Sequence, residues 1–176
     1  INGKDTTAEA YHLYIAAENG INGTYCANLF AGFSNLESIH FGGHFHTDYA
    51  TSMENMFSGC SALKFLNTDE LVTGNVRNMR NMFQFCESLL LETLNFDTSN
   101  VENMYGMFSY CKSLHALDLR SFNTSKVKDM SNMFSSASNL TELDISSFDT
   151  SSVTNMHGMF SYSKLTQLDL HHFNTS

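Results

Sequence analysis

The sequence predicts an α/β repeat: a solenoid of about six coils, with a parallel β-sheet on one side and short helices on the other, and a capping helix at its N-terminal end. Three observations lead there. The motif Met-x-x-Met-Phe recurs at Met53-Met56-Phe57, Met79-Met82-Phe83, Met104-Met107-Phe108, Met130-Met133-Phe134 and Met156-Met159-Phe160, and its first methionines stand 26, 25, 26 and 26 residues apart. Ahead of the later copies runs Leu-x-x-Leu-x-Leu, as in Leu114-Leu117-Leu119 and Leu140-Leu143-Ile145, which ends in the period-two alternation of a short strand. Between the two lies Phe-Asp/Asn-Thr-Ser, at Asp97-Thr98-Ser99, Asn123-Thr124-Ser125 and Asp149-Thr150-Ser151, whose side chains bond nearby backbone N–H groups and so favour a turn.

Taken from the N-terminus, residues 1–25 lie outside the repeat. Asp5 or Thr6 can cap a helix, Ala10, Leu13, Tyr14 and Ala17 share a helical face, and Gly20 can stop it, so this segment predicts the helix that covers the exposed end of the stack. The repeat domain then occupies 26–176. Its first coil is degenerate, with Leu29-Phe30 for Met-Phe followed by Leu36, Ile39 and Phe41, and the stretch "GGHFHTDYA" reads as an insertion before Met53. The second coil carries Leu63, Leu66, Thr68, Leu71 and Val76. The third is one residue short between Leu89 and Phe96, which leaves its strand alignment open. In the last full motif, Val153, Met156, Met159 and Phe160 fall at i, i+3, i+6 and i+7, one face of a short helix, where unbranched methionine fills the space between coils. Cys60, Cys86 and Cys111 each follow a motif phenylalanine by three, where other coils use Phe33, Ala137 and Ser163. Such a set predicts buried free thiols rather than a zinc site, and the parallel Cβ vectors of a ladder suit a disulfide poorly. Cys26 takes the place that Met53 takes one coil later.

Composition excludes several functions. Eighteen Asp plus Glu against nine Lys plus Arg give a formal charge of −9 with no basic block, which argues against nucleic acid and anionic membrane surfaces. No run approaches the roughly 18 consecutive apolar residues of a membrane span. There is no glycine-rich phosphate loop, zinc-binding His-Glu-x-x-His or nucleophile elbow, so no enzyme activity and no cofactor are expected. Without an initiator methionine or a signal-peptide pattern, the chain reads as a mature product or an excised fragment.

The candidate binding surface is the outward side of the strands. A residue between two inward leucines points outward, and that place holds His40, Asn67, Asp118, Asp144 and Asp169. Carboxylates about 5 Å apart should raise one another's pKa unless something neutralises them. The stripe can meet a basic partner or a divalent cation, or each Asp can serve its own turn by accepting backbone hydrogen bonds. Flanking positions vary from coil to coil: Phe65, Ala116, Glu142 and Gln167 on one side, Asp69, Arg120, Ser146 and His171 on the other. Variable residues on a constant scaffold are what a binding surface requires. His40, His44 and His46, with Asp48, offer a weaker possibility of a zinc or copper site, and His171-His172 a weaker one still. No metal is expected.

The ordered pattern Leu-x-x-Leu-Asp-Leu/Ile-x-x-Phe-Asp/Asn-Thr-Ser-x-Val-x-x-Met-x-x-Met-Phe, followed by a small residue or Cys, resembles the BspA-like leucine-rich repeat family over roughly residues 26–176. Thr68, Leu71 and Val72-Thr73-Gly74 depart from it locally. The resemblance implies a leucine-rich-repeat solenoid in a secreted or surface-anchored protein, extracellular or on the cell surface. Such a protein is a non-enzymatic adhesion module whose partner is a protein of the host matrix or of a neighbouring cell. The sequence stops at "HHFNTS", inside a turn, so the expectation is either a piece of a longer array or an open end covered by another copy. In the second case Leu165, Leu168, Leu170 and Phe173 would form the assembly contact, and heterologous contacts of that kind can propagate into filaments.

Overall fold

The computed structural model describes residues 11–14, 21–22, 24–43 and 45–174. Among these residues are seven short strands: β1 (Tyr11–Tyr14), β2 (Ile21–Asn22), β3 (Leu36–His40), β4 (Phe45–His46), β5 (Phe65–Leu66), β6 (Ala116–Asp118) and β7 (Glu142–Asp144). They pair in parallel in three small sheets, ordered β1-β3-β5, β2-β4 and β6-β7. Among the described residues the only helix is a single 3-10 turn at Thr68–Glu70. No helix among them is long and apolar enough to cross a membrane. The α/β leucine-rich-repeat solenoid with helices along one side and a continuous sheet along the other is therefore not what forms.

The reason lies in the backbone of the Met-x-x-Met-Phe arc. An α-helix needs every φ near −60°, and each arc contains two left-handed residues four apart. Asn55 has φ 54° and Gly59 77°, Asn81 53° and Phe85 60°, Gly106 58° and Tyr110 60°, Asn132 56° and Ser136 59°, Gly158 64° and Tyr162 60°. The arc is instead a chain of turns. Met56 N–H donates to Met53 O, Ser58 to Asn55 O and Cys60 to Phe57 O, so overlapping turns begin every second residue and the three-residue spacing read as helical is the span of each turn. The alternate amides donate to the next repeat: Met53 to Asn78 O, Asn55 to Arg80 O, Phe57 to Met82 O and Gly59 to Gln84 O, at 2.8–2.9 Å. The same alternation recurs from Met79, Met104 and Met130.

Side chains follow this register. Phe30, Phe57, Phe83, Phe108, Phe134 and Phe160 stack with centroids 5.5–5.7 Å apart and planes within 13°. Offset aromatic contacts of this kind add stabilisation beyond burial. The motif methionines from Met53 to Met133 are fully buried beside them. Cys60, Cys86 and Cys111 are buried free thiols, as expected, and each donates to the carbonyl of a phenylalanine on the preceding repeat, at 3.1 Å. Burial pushes the Cys60 thiol up to about 11 and raises those of Cys86 and Cys111 well above the ordinary thiol value. At the corresponding place Phe33 is 53% exposed rather than inward.

Polar ladders fix the turns. Asn78, Asn103, Asp129 and Asn155, joined repeat to repeat by parallel bridges, each accept the N–H two residues on, at 2.8–3.1 Å. Thr98, Thr124 and Thr150 are buried. Each hydroxyl donates to a backbone carbonyl of the following repeat and accepts the N–H of the same residue, Asn123, Asp149 or Asn174. The stretch read as an insertion is the same turn in the first repeat. Thr47 donates to Val72 O at 2.8 Å, Ala50 N–H returns to Thr47 O, and both residues are fully buried.

The expected N-terminal capping helix does not form over residues 11–14. Tyr11–Tyr14 is a strand pairing in parallel with Leu36–His40, and the rest of that prediction lies outside the described residues.

Candidate functional site

Strands β5, β6 and β7, and the matching segment of the last repeat, are each followed by a turn that an outward polar residue builds. Asn67 Oδ1 accepts the N–H of Asp69 at 3.2 Å; Asp118, Asp144 and Asp169 accept those of Arg120, Ser146 and His171, each at 3.0 Å. These side chains serve their own backbone first, the general behaviour of Asx residues. Strand pairing sets Asp118 opposite Asp144. The Arg120 guanidinium lies between them, with Nη2 2.6 Å from Asp118 Oδ2 and Nε 3.4 Å from Asp144 Oδ2. Hydrogen bonding from Arg120 holds the Asp118 carboxyl below the usual carboxylate range. Asp169 is held low by the backbone N–H and then the side chain of His171. For these two, local donors outweigh the mutual repulsion that would raise them.

Asp118, Asp144 and Asp169 line one groove together with Glu92 and Glu142, a cavity of about 430 Å³ whose apolar wall includes Leu117, Leu143 and Ile145. Adjoining it is a hollow of about 510 Å³ walled by Phe65, Leu90, Leu91 and Ala116, with Glu92 shared between the two. Phe65 is 60% and Leu90 49% exposed. The hollow lies where the repeat is one residue short. There the strand ladder breaks: β5 and β6 belong to different sheets, and the intervening repeat contributes only the bridge Thr93↔Asp118.

Charge is distributed unevenly around this face. Lys64, Arg77, Arg80, Lys112 and Lys128 pair with Glu37, Glu102, Glu54, Glu87 and Glu102 on neighbouring repeats. Lys126 and Lys164 bond Asn100 and Asn139. Among the described cations only Arg120 serves the groove carboxylates. Glu92 and Glu142 have no side-chain partner among the described residues.

The structure thus brings together Asp118, Glu142, Asp144 and Asp169 from the predicted stripe and leaves the rest apart. His40 stacks on Tyr14 at 4.9 Å and contacts Ser38 Oγ at 3.2 Å. Asn67 donates to Glu70 at 3.0 Å. Gln167 is exposed but does not line the groove. Of the residues considered for assembly, Leu165, Leu168 and Phe173 are partly buried against the core, and Leu170 is 39% exposed. His46 is exposed on β4, and His44 lies outside the described residues. Leu90, Leu91 and Glu92 were not singled out by the sequence. Their signal was the missing residue between Leu89 and Phe96, which opens the hollow they line.

A profile of the family described as Mycoplasma protein of unknown function, DUF285, matches two overlapping spans of the chain, residues 24–119 and 51–173. No curated protein and no solved structure matches it.

Proposed function

Since the chain belongs to the DUF285 family of Mycoplasma proteins of unknown function, membership brings no activity with it, and we propose from the strand face that the protein is a non-enzymatic recognition module of the cell surface. Its partner is a protein segment that presents lysine or arginine next to an apolar side chain. The observation that carries this reading is the pairing of an acidic groove with an exposed apolar hollow through Glu92. Complementary charge speeds encounter and fixes orientation, while an apolar anchor in the hollow supplies the larger share of affinity. The resemblance to BspA-like repeats points to the same class of role, with matrix or cell-surface proteins as the expected partners. The constant parts of each repeat, the Met-Phe arc and the threonine turn, hold the scaffold, and the variable strand-face positions are free to suit a ligand.

The test uses two exposed positions that cap no turn. Glu142→Lys reverses charge in the groove, and Leu90→Ser removes the apolar anchor. Binding to a panel of immobilised extracellular-matrix proteins is measured by interferometry at two ionic strengths, with circular dichroism as the folding control. Salt-sensitive binding by the native chain that drops at least 10-fold in both variants supports the proposal. No binding to any panel member, or binding that neither substitution weakens, refutes it.

A further inference from the structure

We propose that Asp169, His171 and His172 form a binding site for a zinc-like divalent cation at the rim of the acidic groove. One donor atom from each of the three lies within 4.8 Å of the others. Zinc sits about 2.0–2.2 Å from nitrogen and oxygen ligands, so closing on an ion asks only for small side-chain rotations. Asp169 and His171 can make them, since their side chains are 72% and 78% exposed.

The state of the two imidazoles is the second, independent observation. His172 Nε2 lies 3.0 Å from the carbonyl oxygen of Ile145 on the preceding repeat, which can only accept, so Nε2 carries the proton and Nδ1 keeps the lone pair. That Nδ1 is buried and has no hydrogen-bond partner. A ring nitrogen donating to a main-chain carbonyl while the other offers an unused lone pair is the arrangement by which proteins orient metal-binding histidines. Packing holds the ring as well, edge-on to Phe173 at 5.1 Å and to His171 at 5.2 Å. His171 Nδ1 already contacts Asp169 Oδ1 at 2.5 Å, so a carboxylate and an imidazole are in contact before any ion arrives.

Two imidazoles and one carboxylate favour zinc or a similar transition metal over calcium or magnesium, which prefer all-oxygen sites. Three protein ligands leave a fourth position open, as in zinc sites that take up an exogenous group. Asp169 also lines the groove, so the open position lies where the proposed partner docks. An acidic or histidine side chain of that partner could complete the coordination. This last step rests on the recognition reading, whereas metal binding itself does not.

The experiment is a zinc titration of the full chain by calorimetry, with any polyhistidine tag removed, beside the exposed variants His171→Ala and Asp169→Asn. Asn retains the acceptor for the His171 N–H, so the turn survives. His46→Ala is the control for adventitious surface histidines. Expected are one zinc per chain, affinity reduced at least 10-fold in His171→Ala and in Asp169→Asn, an unchanged isotherm in His46→Ala, and weaker binding as pH falls and the imidazoles protonate. Absence of stoichiometric binding at 100-fold excess metal overturns the proposal, as does binding that both site variants leave intact. Because no partner is present, either result stands apart from the outcome of the matrix-protein assay.

Discussion

Thr124 allows the ladder between turns to be weighed by a single atom change. Its hydroxyl donates to Asp149 O at 2.9 Å and accepts Asp149 N–H at 2.8 Å, and the residue is fully buried. Thr124→Val keeps the shape and removes both bonds. Each hydrogen bond contributes about 1 kcal/mol net, and leaving a buried group without its partner adds a desolvation cost of about 1–3 kcal/mol. The sum predicts a loss of roughly 3–5 kcal/mol, or about 9–15 °C in Tm for a chain of this length. Thr124→Ser keeps both bonds and loses one methyl, about 0.8 kcal/mol. Urea denaturation followed by circular dichroism and tyrosine fluorescence gives both values, with coincident curves checking that unfolding is cooperative. If valine lies within 0.5 kcal/mol of the native chain, or if serine is as damaging as valine, the threonine ladder does not hold the repeats together in the way argued.

Two further outcomes follow from the turns and the groove. Gly106→Ala places a Cβ 2.5 Å from Asn81 Oδ1 at a residue with φ 58°, and should destabilise by at least 2 kcal/mol; the double variant Gly106→Ala/Asn81→Gly removes the clash but not the backbone strain, so denaturation should show partial recovery. Arg120→Met removes the main donor that depresses the Asp118 pKa, so the Asp118 carboxyl carbon should titrate at higher pH by NMR. The folded pKa of Asp118 lies below its unfolded value, so the stability this pairing gives is present above the ordinary carboxylate range and disappears as pH falls through the folded pKa. Native and Arg120→Met proteins should accordingly differ at neutral pH and converge in acid.

Much of this molecule was legible in one sequence. The repeat period, the inward methionines and phenylalanines and the buried thiols were there to read because burial is written in periodicity. The helix was not excluded by that reading, since consecutive turns place residues 53, 56, 57 and 60 on one side just as a helix would. The deciding signal was a different column. The residue two after each first motif position is Asn28, Asn55, Asn81, Gly106, Asn132 or Gly158, the residue types that tolerate positive φ. Asn and Gly recurring there within an apolar arc announce turns. The first role of the stripe aspartates is to close their own turns, which a one-dimensional pattern shows as consensus and nothing more. Arg120 between two carboxylates, and the single acceptor that orients His172, depend on contacts between neighbouring repeats that spacing alone does not resolve.

The short third repeat has a consequence for how such surfaces diversify. Its missing residue leaves the phenylalanine stack from Phe83 to Phe108 intact at 5.7 Å while the strand ladder parts and a hollow opens. A one-residue deletion is therefore absorbed entirely on one side of the molecule. The arc side keeps strict register because each alternate amide must meet a carbonyl on the next repeat. The strand side tolerates a slip because its bridges are short and few. Single-residue length changes that leave the arc intact thus fall on the strand face, where the acidic groove and the apolar hollow lie. A gene of this kind can reshape its strand face by gaining or losing single codons, with no new scaffold to evolve.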